Sequence, residues 1–362
     1  MEDNLLLLGT RKGLVVYQKS AMGQWHHTDT HFLGAPVTIA TIDPHTATWW
    51  ALIDHGHWGC KVHRSENGKD WEELEAPKYP EGEMVKEGMP ASTKYLWAFA
   101  SGGMHAPGTI YIGTEPGGLF KSTNNGDSFE LVRGLWEHES RPDHWFGGGR
   151  DEAGIHSIWV NPKDANHLQV GVSVAGTFET TDGGSTWVPL NKGLKADFLP
   201  DPSIEVGHDP HLLDWCAANP QVMWQQNHCG IFRSVDGGNN WTDISEPDGP
   251  ANFGFAVAAH ATNPEVAWVV PGTSDMVRIA VDQKLCVCRT NDGGKTWKAF
   301  RKGLPQESCF DIVYRHALAL SGDTLAFGTT TGNLFLSNDG GESWDALSHY
   351  LPMIHSVEFA SV

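Results

Sequence analysis

TTDGGSTW (Thr180–Trp187), SVDGGNNW (Ser234–Trp241), TNDGGKTW (Thr290–Trp297) and SNDGGESW (Ser337–Trp344) are four copies of one eight-residue turn. In each, a hydroxyl residue, an aspartate and a glycine pair precede a tryptophan. STNNGDSF (Ser122–Phe129) is a softened copy, SENGKDW (Ser65–Trp71) is one residue short, and AMGQW (Ala21–Trp25) keeps little beyond its tryptophan. The closing aromatics Trp25, Trp71, Phe129, Trp187, Trp241, Trp297 and Trp344 are spaced by 46 to 58 residues, a period that marks a repeat architecture.

Between turns the same order of segments recurs. In the fourth unit, IHSIWV (Ile155–Val160) leads through an Asn-Pro turn to HLQVGV (His167–Val172), then to GTFET (Gly176–Thr180) and the turn itself. Apolar runs bounded by turn formers read as strands, and four antiparallel strands per unit make a propeller blade. Gly9, Gly113, Gly171 and Gly328 each stand 16 residues before the closing aromatic, which brings the weak first copy into the set. The expectation is an all-β, single-domain, seven-bladed β-propeller spanning residues 1–362. The first unit starts at its second strand (Asn4–Leu8), and MIHSVEFA (Met353–Ala360) repeats the IHSIWV pattern, so a C-terminal strand over residues 354–359 should complete blade 1 and remove the open edge.

The turn chemistry reads as structural. The hydroxyl and the carboxylate can accept backbone N–H bonds, the glycines supply positive φ, and the tryptophan covers the gap between neighbouring blades. A calcium site needs about six to eight oxygens, and each turn offers one carboxylate.

These turns resemble the Asp-box, or bacterial neuraminidase repeat, of a propeller family that includes sialidases, tandem-propeller xyloglucanases, the sorting-receptor propeller and photosystem II assembly factors. The resemblance covers nearly the whole chain and implies the fold. Sialidases of that group have six blades and a Phe/Tyr-Arg-Ile-Pro motif heading an arginine triad; MVRIA (Met276–Ala280) is the nearest string here and lies elsewhere, which disfavours a conventional sialidase. The assembly factors carry import or export signals, of which this chain shows neither.

Composition narrows the partners. With 25 basic and 44 acidic residues the net charge is −19, which argues against a nucleic-acid surface and against an anionic membrane. Six cysteines follow no disulfide or zinc spacing, and Cys286 and Cys288, two apart on one strand, read as buried thiols. MEDNLLLLGT (Met1–Thr10) has acidic residues where a secretory signal needs basic ones, and the expectation is a cytoplasmic protein.

Topology then sorts the loops. The Asp-Gly-Gly turns join third to fourth strands; the blade-to-blade connections Glu72–Tyr95, Arg133–Gly154 and Asn191–Pro210, and the second-to-third loop Pro271–Leu285, lie at the opposite end. Long loops on a rigid scaffold are where function concentrates. Many of the 19 histidines fall there. His57, His156, His211, His228 and His355 are the best placed to hold a divalent transition metal ion, whether zinc, iron, manganese or copper, while a rim histidine bonded to its surroundings is the structural alternative for each. Asp151, Glu152, Glu205 and Asp209 stand ahead of adjacent inner strands as candidate catalytic carboxylates, with Arg150 beside them. Arg11, Trp58 and Trp145 are candidates for binding substrate. The leading expectation is a hydrolase acting on a small-molecule or glycan substrate through paired carboxylates or a bound metal; the alternative is a non-catalytic propeller that docks a protein partner through its long-loop face.

Overall fold

The chain is a seven-bladed β-propeller. A computed structural model, which describes residues 3–361, contains seven four-stranded antiparallel sheets and one two-stranded hairpin, Met84–Lys86 with Met89–Pro90. Six sheets take their strands in chain order; blade 4, for example, is Ile155–Asn161, Asp164–Val172, Gly176–Thr180 and Val188–Pro189. Blade 1 is the exception. Its innermost strand is Ile354–Ala360, which pairs antiparallel with Leu5–Thr10, Leu5 facing Ala360 and Leu8 facing Val357. The expected closure is therefore present, one residue longer than the sequence implied. No helix among the described residues is long and apolar enough to cross a membrane.

Backbone contacts group the described chain into two compact units. One carries blades 1, 5, 6 and 7, and the other carries blades 3 and 4 with most of blade 2. The first is filled by Trp268, Leu325, Phe327, Phe335 and Trp344, and Cys286 and Cys288 are buried in a neighbouring cluster as free thiols. The second is filled by Leu168, Val170, Phe178 and Trp187. Apolar positions on alternating sides of adjacent sheets give these cores, because a blade is covered on both faces.

Three of the four glycines that stand 16 residues before a closing aromatic, Gly9, Gly113 and Gly328, have a specific cause. A Cβ at Gly113 would lie 2.5 Å from the carbonyl oxygen of Ile155, in the first strand of the following blade. At Gly328 it would lie 2.3 Å from Ile354 Cγ2, and at Gly9 2.9 Å from the Val37 carbonyl oxygen. Successive blades meet at these points closely enough that a side chain has no room.

The Asp-Gly-Gly turns repeat one hydrogen-bond pattern. Thr180 Oγ1 donates to Asp182 Oδ1 (2.7 Å) and accepts from Gly184 N–H (3.0 Å), while Asp182 accepts from Thr186 N–H (2.9 Å) and Thr186 Oγ1 (2.7 Å). Ser234–Asn240, Thr290–Thr296 and Ser337–Ser343 do the same. Trp297 Nε1 reaches the Ile244 carbonyl at 2.8 Å, joining its own blade to the one before. In the two softened copies an asparagine takes the aspartate's place: Asn124 Oδ1 accepts from Ser122 Oγ (2.8 Å) and Ser128 N–H (3.1 Å), and Asn67 Oδ1 accepts from Ser65 Oγ (3.2 Å) and Asp70 N–H (2.9 Å).

Hydrogen bonds from the Thr186 backbone and side chain and from Thr180 pull the Asp182 carboxyl down to about 2. At Asp339 burial pushes upward, but hydrogen bonds from Ser343 outweigh it and the group also falls to about 2. A carboxylate with a depressed folded-state pKa contributes stability that is present above its unfolded value and lost as pH falls through the folded one. We expect the propeller to lose stability between roughly pH 4 and pH 2, the interval from an unperturbed aspartate to these groups. Replacing all four turn aspartates by asparagine, as blades 2 and 3 do naturally, should flatten thermal midpoints across that interval with little change at neutral pH. Replacing Asp236 or Asp292 by alanine should lower the midpoint at pH 7 by about 2–4 °C.

Candidate functional site

Inner strands start irregularly, and the irregularity places side chains. Pairing skips Trp97 between Leu96 and Ala98, His156 between Ile155 and Ser157, and His355 between Ser356 and Ile354. An unpaired extra residue bends its strand and re-aims its side chain. The equivalence of the two IHS segments thus has a backbone cause, since both histidines are bulge residues.

In the second unit these strand starts support an arginine clamp. Arg150 Nε donates to Glu115 Oε2, and Glu115 Oε1 accepts the Glu152 N–H at 3.3 Å. The Glu115 side chain is 2 % exposed and that of Arg150 36 %. The guanidinium lies 4.1 Å from the Tyr95 ring centroid and 5.5 Å from that of Trp97, and the Trp97 ring also meets Tyr95 and His156, each at 5.8 Å. Asp151 is exposed, with Lys94 Nζ 3.7 Å from its carboxylate, whereas Glu152 is buried. Nearby, burial pushes the Cys60 thiol up to about 12, with Asp54 adding to it, so this thiol stays protonated at neutral pH.

The loops around the clamp are braced. Arg141 stacks on Trp136 (3.6 Å) and faces Trp145 (4.8 Å) while its Nη1 donates to the Gly117 carbonyl (2.8 Å); burial lowers its pKa to about 10. Glu83 receives Arg133 and Trp136 Nε1, tying the loop after blade 2 to the loop after blade 3. Trp145 also packs on Phe178, so this ring is part of the brace. Trp58 is 69 % exposed beside the exposed His57, and Glu205 is exposed with its carbonyl held by Asn191.

In the first unit His211 and His228 come together, with ring centroids 5.8 Å apart. His211 is buried, stacks on Phe255 (4.5 Å) and bonds through Nδ1 to the Gly254 carbonyl (2.6 Å). His228 Nε2 lies 3.6 Å from Asp275 Oδ2. Arg278 and Arg315 each lie 5.4 Å from the Phe255 ring. Asp209, in the second unit, is buried, and its Oδ1 accepts the Val174 N–H at 3.2 Å. His57, His156 and His355 are not part of the His211–His228 pair. Arg11 is exposed, and its backbone N–H donates to the Met353 carbonyl.

Sequence reasoning did not single out Glu115, Lys94, Tyr95, Asp275 or Phe255. A signal for Glu115 existed: GTEPG aligns with GTRKG, and only the arginine of the second string was selected. A cleft of about 530 Å³ lined by Arg64, Glu66, Asp70, Glu72 and Asp127 lies at the other end of blades 2 and 3, among their closing turns. Its arginine is already paired with Glu72 (2.9 Å) and Asp127 (2.7 Å), which leaves a solvated ion-pair network and no acid–base arrangement.

No protein-family model matches the chain. It is similar to the xyloglucanase Xgh74A of Acetivibrio thermocellus, 22 % identical over 301 residues that take in 73 % of this chain and 33 % of that protein. The chain thus spans about a third of the length of this curated relative. Among solved structures it resembles the GH74 enzyme of Niastella koreensis, with a TM-score of 0.58 and 15 % identity, covering 95 % of this chain and 54 % of that one. It also resembles YCF48 bound to D1 peptide, with a TM-score of 0.53 and 14 % identity, covering 86 % and 83 %. At these identities the structural likenesses speak to the fold alone.

The clamp yields a test. Arg150→Met leaves Glu115 buried without its countercharge and should cost about 2–3 kcal/mol, less than a fully buried pair because the arginine is partly exposed. Adding Glu115→Gln should recover part of that loss. Urea denaturation of the two single variants and the double variant measures the coupling.

Proposed function

We propose that the chain is a glycoside hydrolase-like propeller that binds a β-glucan-type chain, xyloglucan being the first candidate, at the mouth formed by the loops of blades 3 and 4. The observation that carries this reading is the sequence similarity to a xyloglucanase across 73 % of the chain. The local chemistry supports it. The half-buried Tyr95 and Trp145 offer ring surfaces suited to sugar C–H groups, and Arg150 and Lys94 offer hydroxyl-binding donors.

Asp151 and Glu152 are the proposed acid–base pair. Glycoside cleavage needs one carboxyl group to protonate the departing oxygen and a second to activate water or attack the anomeric carbon. Asp151 projects into solvent next to Lys94, while Glu152 is buried with its backbone held by Glu115. In this reading Asp151 supplies the base or nucleophile and Glu152 the acid, and Arg150 and Glu115 are positioning residues that hold both. Purified protein should release reducing ends from xyloglucan or its oligosaccharides. Asp151→Asn and Glu152→Gln should each lower kcat by at least about 100-fold, the loss typical of a general acid or base. Inactivity of the folded protein on xyloglucan, cellulosic and mixed-linkage glucans and aryl glycosides would overturn the enzymatic reading.

A docking role is the second reading. The structure of YCF48 bound to D1 peptide covers a propeller of nearly this chain's extent, whereas the xyloglucanase is about three times longer than the part matched. Saturable binding of a peptide to a protein inactive on every glycan would favour it.

A further inference from the structure

One phenylalanine of blade 6 collects two arginines. Phe255 lies in the inner strand Gly254–Ala259 and is 2 % exposed. Arg278, from the loop between the second strand Ala267–Pro271 and the third strand Val287–Thr290, has its guanidinium carbon 5.4 Å from the centre of that ring. Arg315, from the short turn Arg315–Ala317 ahead of blade 7, stands at the same distance. Two groups so placed on one ring are at most twice that distance apart.

The ring beneath them is held on several sides. His211 stacks on Phe255 at an interplanar angle of 21° and bonds through Nδ1 to the Gly254 carbonyl (2.6 Å), while Phe253 and Tyr314 meet the ring edge-on at 80° and 78°. Arg278 Nε donates to the Asp275 carbonyl (3.0 Å), which aims the rest of its fork, and a fork placed beforehand loses less freedom on taking up a ligand. Other arginines laid on rings in this unit are already closed by carboxylates: Arg233, on Trp224, donates to Glu265 (2.5 Å), and Arg289, on Phe300, donates to Glu342 (2.9 Å). Arg278 is exposed, and no carboxylate among the described residues lies within ion-pair distance of it. The neighbouring Asp275 carboxylate is turned to His228, its Oδ2 3.6 Å from Nε2.

We propose that Arg278 and Arg315 form a binding site for the phosphate group of a small ligand. Two guanidiniums brought from separate loops suit a tetrahedral dianion, whose oxygens point in several directions and whose charge matches two cations; a planar carboxylate is satisfied by a single fork. A phosphate bonded to both forks at about 2.8 Å bridges them, with the exposed Arg278 side chain supplying the rotation needed. Arg278, Arg315 and Phe255 all lie in the unit that carries blades 1, 5, 6 and 7. The site does not rest on the glycan reading, since a protein inactive on glycans can still bind the anion.

Calorimetric titration of the full chain with sodium phosphate, at neutral pH and low ionic strength, tests the site, with sulfate and acetate as comparison anions. Because the chain carries a net charge of −19, general electrostatics works against an anion, and saturable binding reports a local site. One equivalent of phosphate should bind with Kd below about 1 mM. Sulfate should compete with it and acetate should not. Arg278→Met and Arg315→Met should each weaken binding by at least about 10-fold, the loss expected when charge-assisted hydrogen bonds are removed. Asp275→Asn, which removes a negative charge beside Arg278, should tighten it. Lys295→Met, the same loss of charge placed in a closing turn, should leave it unchanged. Thermal melting confirms that each variant is folded, and the exposed Arg278 carries the test if replacing the half-buried Arg315 unfolds the chain. Absence of saturable phosphate binding by the folded wild type, equal binding by wild type and Arg278→Met, an equal loss on Lys295→Met, or acetate bound more tightly than phosphate would overturn the proposal.

Discussion

The close approach of one blade's first strand to a glycine in the blade before it is the contact on which the rest of this propeller depends. At Gly113 and Gly328 the neighbour is Ile155 or Ile354, each the residue just before a bulged histidine. The same contact that packs two blades therefore sits next to the residue whose side chain is re-aimed. Scaffold and candidate site share one stretch of backbone, and a bulge is the means by which a regular sheet presents an irregular side chain.

Much of the architecture was legible because it is written several times. Four intact turns, two softened ones and a fixed glycine spacing define the blades, and the IHS pattern at both Ile155 and Ile354 identifies the closing strand. Softening changed little physically: asparagine replaces the carboxylate of the turn at positions 67 and 124 and accepts the same hydrogen bonds without the charge. Repetition averages out single substitutions, so the fold is read more surely than any one residue in it.

The site was less legible, because it is not repeated. Histidines 57, 156 and 355 share a topological level with 211 and 228, but level around a ring does not fix direction or distance. The last two come together, with ring centroids 5.8 Å apart. Likewise Glu115, at the end of a strand in blade 3, becomes the anchor of Arg150 only when the loop of residues 145–154 folds back over it. That pairing joins positions 35 residues apart, and no period in the sequence connects them. Trp145, selected from sequence as a substrate-binding candidate, packs against Arg141 and on Phe178.

Two arrangements of different chemistry emerge, a clamp of arginine, carboxylates and aromatic rings in blades 3 and 4 and an imidazole–carboxylate group at blade 5. Both stand at the ends of blades from which the long loops leave, and the closing turns at the other ends are occupied with hydrogen bonds and ion pairs. The central claim is that the working surface is the loop end at blades 3 and 4. Hydrogen–deuterium exchange, with and without saturating xyloglucan oligosaccharide, tests it most directly. The account predicts slowed exchange in residues 94–98, 113–119 and 146–157; protection confined to the turns at 65–71 and 122–129, or none anywhere, would contradict it.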